Sequence, residues 1–249
     1  MIYGLYQSAA GMMANEYRQG VIANNLANAD TVGFKRDVAV LAERLPARLA
    51  GERDGAGQEL LDALSGGVWL GRTDTDFSQG TIQHTDNATD VALEGPGFLL
   101  VEQDGRQLAT RDGRMIVDGL GRLVAATDGA PVLGVGGAPI RVNPRGGPIQ
   151  ISEFGAVEQD GRIVGRLGLI DFADYRALRK AGASRFAFEA ATPAAPAARF
   201  IGRAVEGSGS SPIAEMVSMI EAARSYQLNA SLLTAQDQSV GRLISTLGN

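Results

Sequence analysis

The run SPIAEMVSMIEAARSYQLNASLLTAQDQSVGRLISTL, residues 211–247, decides how the chain is organised. Met216, Met219, Ala223, Tyr226, Ala230, Leu233, Asp237, Val240, Ile244 and Leu247 recur in an unbroken three-four spacing, which predicts one long helix with an apolar seam. Asp237 is the only charged member, a defect that selects a register or marks an exposed position. Ser211 suits the N-cap and Pro212 the first helical position, while Glu215 complements the positive end of the helix dipole.

A seam this narrow needs a partner, and the other end of the chain offers one. Ile2, Leu5, Ala9, Met12, Ala23 and Leu26 follow the same spacing, with Glu16 and Gln19 interrupting the stripe. Gly4, Gly11 and Gly20 each weaken a free helix by about 1 kcal/mol relative to alanine, so this segment relies on packing. Each stripe left in water forgoes about 25 cal/mol per Å² of apolar surface, which favours pairing of the two ends. Asn24, Asn25, Asn28, Asp30 and Gly33 then predict a helix stop and a specified turn, because Asn and Asp side chains compete for backbone hydrogen bonds. Asp37 to Leu49 reads as a further helical or extended piece, and Gln58 to Leu64 as a short helix between breaks at Ala50 to Gly57 and Ser65 to Gly67.

Between the helices the texture becomes β-like. Phe98 to Val101, Met115 to Val117, Arg122 to Val124, Ile140 to Val142, Ile149 to Ile151, Ile163-Val164 and Leu167 to Phe172 are the expected strands. Asp-Gly pairs at 104–105, 118–119, 128–129 and 160–161 supply hairpin turns, since both residues tolerate left-handed dihedrals. Ala190 to Ala198, with Pro193 and Pro196, reads as a loop or linker. The expected class is α+β: paired terminal helices forming a discontinuous coiled-coil-like domain around a β-rich middle. Expected boundaries are 1–67, 68–198 and 199–249, the last a helix packing with the first.

Composition narrows function by exclusion. A net charge of -5 gives no electrostatic drive toward nucleic acid or an anionic membrane. No cysteine is present, so disulfide and thiol chemistry are out. Met1 to Tyr17 carries no positive leader region, so a cleaved signal peptide is not expected, and no run reaches the roughly 18 apolar residues of a spanning helix. Catalytic, cofactor and metal sites are not expected. His84 is the only histidine, and Asp74, Asp76, Asp86 and Asp90 lack calcium-loop spacing. Gly134-Val135-Gly136-Gly137 runs into Pro139 and not into a helix, unlike a dinucleotide loop.

Ser8-Ala9-Ala10-Gly11-Met12, Ala23-Asn24-Asn25-Leu26-Ala27-Asn28 and Thr31-Val32-Gly33-Phe34-Lys35-Arg36 resemble the N-terminal signature of flagellar basal-body rod proteins. Thr75 to Gln83 and Asp90 to Phe98 resemble the entry to that family's β domain, and Ser211 to Leu247 its C-terminal helix. Asp86-Asn87, Phe98-Leu99 and Ala223 to Tyr226 depart from the family pattern and leave proximal and distal rod positions open. The resemblance implies a non-enzymatic structural subunit of the periplasm-spanning rod, exported by the flagellar type III apparatus and assembling helically with copies of itself and other rod or hook proteins. The expected assembly residues are Leu5, Met12, Asn25, Leu26, Asn28, Gly33, Phe34, Met219, Tyr226, Leu233, Val240 and Leu247, with the bend presenting Phe34 and Lys35 to a neighbour. The alternative is an extracellular adhesin-like binding module. A carbohydrate-active enzyme is a third reading, and would need paired carboxylates in a cleft.

Overall fold

The computed structural model describes residues 2–43, 67–189 and 191–247. Its contacts divide the chain into two compact units: one of residues 1–27, 37–74 and 211–249, the other of 28–36 and 75–210. The segments expected at Ala50 to Gly57 and Gln58 to Leu64 lie outside the described residues.

The first unit holds the two helices, α1 (Ile2–Ala27) and α2 (Pro212–Leu247). The Glu215 amide donates to the Ser211 carbonyl at 2.9 Å, placing Ser211 where an N-cap belongs. Helix α1 ends at Ala27, inside the asparagine-rich stretch. Strands Asp37–Glu43 and Val68–Thr75 pair with each other and belong with the helices. The expected boundary at Val68 is therefore displaced: this strand finds its hydrogen-bond partner in the N-terminal segment. Gly71 permits the pairing, since a Cβ there would lie 2.3 Å from the Val40 carbonyl oxygen.

The second unit is built from antiparallel strands. Its largest sheet orders Arg179–Lys180, Arg185–Ala187, Arg106–Thr110, Phe98–Gln103, Leu169–Phe172 and Pro193–Ala194. A three-stranded sheet orders Arg162–Arg166, Ala156–Gln159 and Ile149–Ile151. Asp104-Gly105 and Asp160-Gly161 all take positive φ, the signature of tight type I′ hairpins, and connect Phe98–Gln103 to Arg106–Thr110 and Ala156–Gln159 to Arg162–Arg166. Along Phe98–Gln103 the side chains alternate: Leu99 and Val101 enter a core with Val91, Leu93, Met115, Leu123 and Val157, while Phe98 points into an aromatic cluster with Phe172 and Phe186.

Three expectations need correction. Ile140 to Val142 forms no strand: a single bridge from Arg141 to Arg122 holds it, and its backbone bonds are split between Val132 on one side and Gly121 and Leu123 on the other, so no continuous ladder develops. Within Ala190 to Ala198, Pro193–Ala194 pairs with Asp171 and Phe172 at the sheet edge, the one place in a sheet that tolerates proline. Residues 199–206 are not helical: Arg199–Gly202 pairs with Val91–Glu94 and Ala204–Glu206 with Ile82–His84, so the last helix starts only at Pro212.

Candidate assembly surfaces

The helices run antiparallel in a seven-residue step. A Cβ on Gly4 would meet the Gln236 amide at 2.8 Å, and one on Gly11 the Asn229 amide at 3.0 Å. Going from 4 to 11 along α1 thus corresponds to going from 236 back to 229 along α2. Further along, the Asn25 side-chain amide donates to Glu215 at 3.4 Å, and both residues are buried. Ser8, Ile22 and Ala222 are also buried. At the glycines the facing helix fits its Gln236 and Asn229 amides against the α1 backbone, and Ser8, Ile22, Asn25, Glu215 and Ala222 fill the rest of the buried strip.

The seam predicted from apolar spacing therefore sits about one residue off the observed one. Glu215 and Ala222 are buried, whereas Met216 and Ile244 are exposed, and Met219, Tyr226, Leu233 and Val240 are half-buried. On α1, Leu5, Met12 and Leu26 are likewise half-buried. The side chain of Leu247 lies outside the described residues. Two helices in contact can cover only a narrow strip, and the strip chosen here accommodates closeness and a buried hydrogen bond. The larger apolar side chains flank it or point away: Tyr6 and Met13 on α1, and Ile213, Val217, Ile220 and Leu228 on α2, are all exposed.

Asn25 does more than stop a helix. Its amide donates to the Asp37 carbonyl at 2.8 Å, and its carbonyl accepts from the Asp37 amide at 2.9 Å. One side chain thereby mimics a strand partner for Asp37. Asn28 lies in the second unit, where its side-chain oxygen accepts from the Thr31 hydroxyl at 3.2 Å and its carbonyl from the Ser208 hydroxyl at 2.9 Å.

The bend does not present Phe34 and Lys35 outward, because both are buried in the chain's own second unit. Gly33, with φ +66°, leaves no room for a side chain: a Cβ would stand 2.5 Å from the Arg111 carbonyl carbon. Lys180 places its Nζ 4.4 Å over the Phe34 ring and donates to the Lys35 carbonyl at 2.6 Å. Lys35, only 1 % exposed, donates to the Glu206 carboxylate at 2.6 Å and to the Ser78 carbonyl at 2.7 Å. Arg111 reaches the other Glu206 oxygen at 3.0 Å, and the Gly80 amide donates to the first at 2.8 Å. Burial pushes the Lys35 ammonium below its usual value, against the opposing attraction of Glu206. This triad was not legible in the sequence, since its members lie 171 and 95 residues from one another. Lys35 alone stood in a recognised motif.

An open cavity of about 560 Å³ in the second unit is lined by Thr75 to Ser78 and Phe172 to Arg176. Its two carboxylates are engaged in structure. Asp76 accepts from the Ser78 amide and pairs with Arg36, which holds its acid below the usual aspartate range, the Ser78 bond contributing most. Asp174 caps the turn Tyr175–Ala177 through the Arg176 amide. Among the described residues no group of three or more His, Cys, Asp or Glu could hold a metal ion, and no helix is long and apolar enough to cross a membrane.

A β unit with an enclosed core and a helix pair with large apolar side chains on its outside make up a protein of α+β class. Residues 5–35 match the family described as flagella basal body rod protein, and residues 202–246 the C-terminal part of the flagellar basal body rod FlgEFG protein. The chain is 31% identical to the flagellar basal-body rod protein FlgG of Buchnera aphidicola subsp. Schizaphis graminum, over 98% of this chain and 99% of that protein. It is 32% identical to the rod protein FlgF of Mesorhizobium japonicum over 98% of each, and 34% identical to the flagellar hook protein FlgE of Helicobacter mustelae over 42% of this chain and 24% of that one. The chain belongs to the flagellar basal-body rod protein family. It is a structural subunit of the basal-body rod, and the adhesin-like alternative draws no support from these relatives.

Proposed function

We propose that this subunit polymerises through its terminal helices, in a coiled-coil-like arrangement continued between copies, to build the drive shaft that carries torque across the periplasm. The observation that carries this reading is the placement of Ile213, Val217, Ile220 and Leu228 on the outside of α2 and of Tyr6 and Met13 on the outside of α1. A monomer that leaves such a run in water gains hydrophobic free energy by covering it with another copy. Contacts between unlike surfaces that do not close on themselves extend into a rod. Leu5, Met12, Leu26, Met219, Tyr226, Leu233 and Val240, half-buried beside the intrachain seam, pack within and between copies. Asn25, Asn28 and Gly33 act indirectly, by fixing the chain where α1 ends.

The partners are copies of this chain and other rod and hook proteins, reached through the flagellar export apparatus. No chemical step is assigned to it. The test is deletion of residues 212–247, with polymer formation followed by sedimentation and motility scored in cells. Loss of both, with the β unit still folded, is the expected result. Polymers of normal stability from the shortened chain overturn the proposal.

A further inference from the structure

Where Gly4 meets Gln236, the described residues leave a space between the helices. Gly4, Leu232, Ala235, Gln236 and Ser239 line an open, mostly apolar cavity of about 360 Å³, enough for a phenol ring. Gly4 contributes no side chain to it, and Leu232, which could have turned inward, is exposed. Among the described residues, the side-chain oxygen of Gln236 is buried without a hydrogen-bond partner. An unpaired buried acceptor costs free energy that a donor entering the cavity would recover.

Two residues beyond Gly4, Tyr6 has the required chemistry. It is 73 % exposed, so it does not occupy its own chain's cavity. It carries a flat apolar ring and a terminal O–H donor, the combination that makes tyrosine an anchor in desolvated interface pockets. Ring and cavity lie within one helical turn of each other along α1, so a neighbouring copy set alongside at a similar level brings its Tyr6 to this cavity.

The geometry points to Tyr6 of a second copy as the occupant, its ring filling the space over Gly4 and its hydroxyl donating to Gln236 Oε1. This rests on the assembly reading above and names one contact within it. Donor and cavity are different surfaces of the same chain. Each copy therefore gives its Tyr6 to one neighbour and receives another's, and the contact propagates as a rod requires.

The test compares the critical concentration for polymerisation of the intact chain with that of Tyr6→Phe, Gln236→Leu and the double variant. Each single change raises it on the order of 2- to 10-fold, the worth of one hydrogen bond. The double change raises it no further than either alone. An unchanged value for Tyr6→Phe, or single effects that multiply in the double variant, overturns the contact while leaving assembly in place. Because the chain has no cysteine, Tyr6→Cys and Ser239→Cys chains can be mixed, assembled and oxidised. A mixed disulfide dimer is expected, and a polymer without one overturns the contact. If the unaltered chain forms no polymer, the assembly reading itself fails, and this inference with it.

Discussion

The two units solve burial in opposite ways. In the β unit, large apolar side chains such as Phe98, Phe186, Leu123 and Met115 are inside, and even the charges of Lys35, Arg111 and Glu206 are enclosed and paired. In the helical unit, Ser8, Ala14, Ile22, Asn25 and Ala222 are inside, while Tyr6, Ile213, Ile220 and Leu228 point out. The first arrangement encloses its main core within one chain, with Leu120, Val135, Phe154 and Ile163 left on its surface. The second leaves a run of large apolar side chains in water, the surface that the proposed assembly would cover.

The largest expected effect tests how far the β unit depends on its enclosed charges. Glu206→Leu leaves two cations buried without their anion and should destabilise the unit by about 3–5 kcal/mol, read from denaturant unfolding. Combining it with Lys35→Met and Arg111→Leu should recover much of the loss, since apolar replacement of a whole buried network is often close to neutral.

Next is Asn25→Ala, which removes the bonds to the Asp37 amide and carbonyl and to Glu215, and should cost the helical unit about 1–3 kcal/mol in thermal unfolding. A cost confined to polymerisation would instead move Asn25 into the intersubunit surface. The outer face of α2 sharpens the contrast. Ile220→Ser with Leu228→Ser should change monomer stability by no more than about 0.5 kcal/mol, as exposed positions do, while raising the critical concentration at least several-fold. A destabilised monomer would show that these side chains already have a covering in the single chain.

The smallest effect is on pH dependence. The Arg185 side chain holds the Asp128 acid below the ordinary aspartate value of 3.8, and the Arg122 amide does the same for Asp118. Depressed carboxylates contribute stability that is fully present above 3.8 and lost as pH falls through their folded values. Acid titration of the β unit should therefore steepen below about pH 4, and Asp128→Asn should flatten that limb. An unaltered limb would mean that the Arg185 pairing is absent in solution.

Much of the architecture was legible because it is local. Ser211-Pro212 announced α2, the asparagines announced the end of α1, and two Asp-Gly pairs became type I′ hairpins as expected. Met115–Val117 and Ile149–Ile151 lie where the sequence predicts them. The candidate site was less legible. Three-four spacing predicts that a helix has an apolar side, but it does not say which side faces the partner in the same chain. Here Met216 and Ile244, both in the predicted stripe, face away, and Ala222, outside it, is fully buried.

The helical ends, the β-rich middle and the family are written in short stretches of chain, because helix caps, turn residues and periodicity act over a few residues and carry their own physical cause. Which strip of each helix would be covered, that Phe34 and Lys35 would be enclosed, and that Glu206 would draw two cations inward follow from the packing of distant segments. Those outcomes depend on which distant surfaces can approach most closely and which buried charges can be matched. Close packing and desolvation are properties of the assembled fold and not of any short stretch of chain.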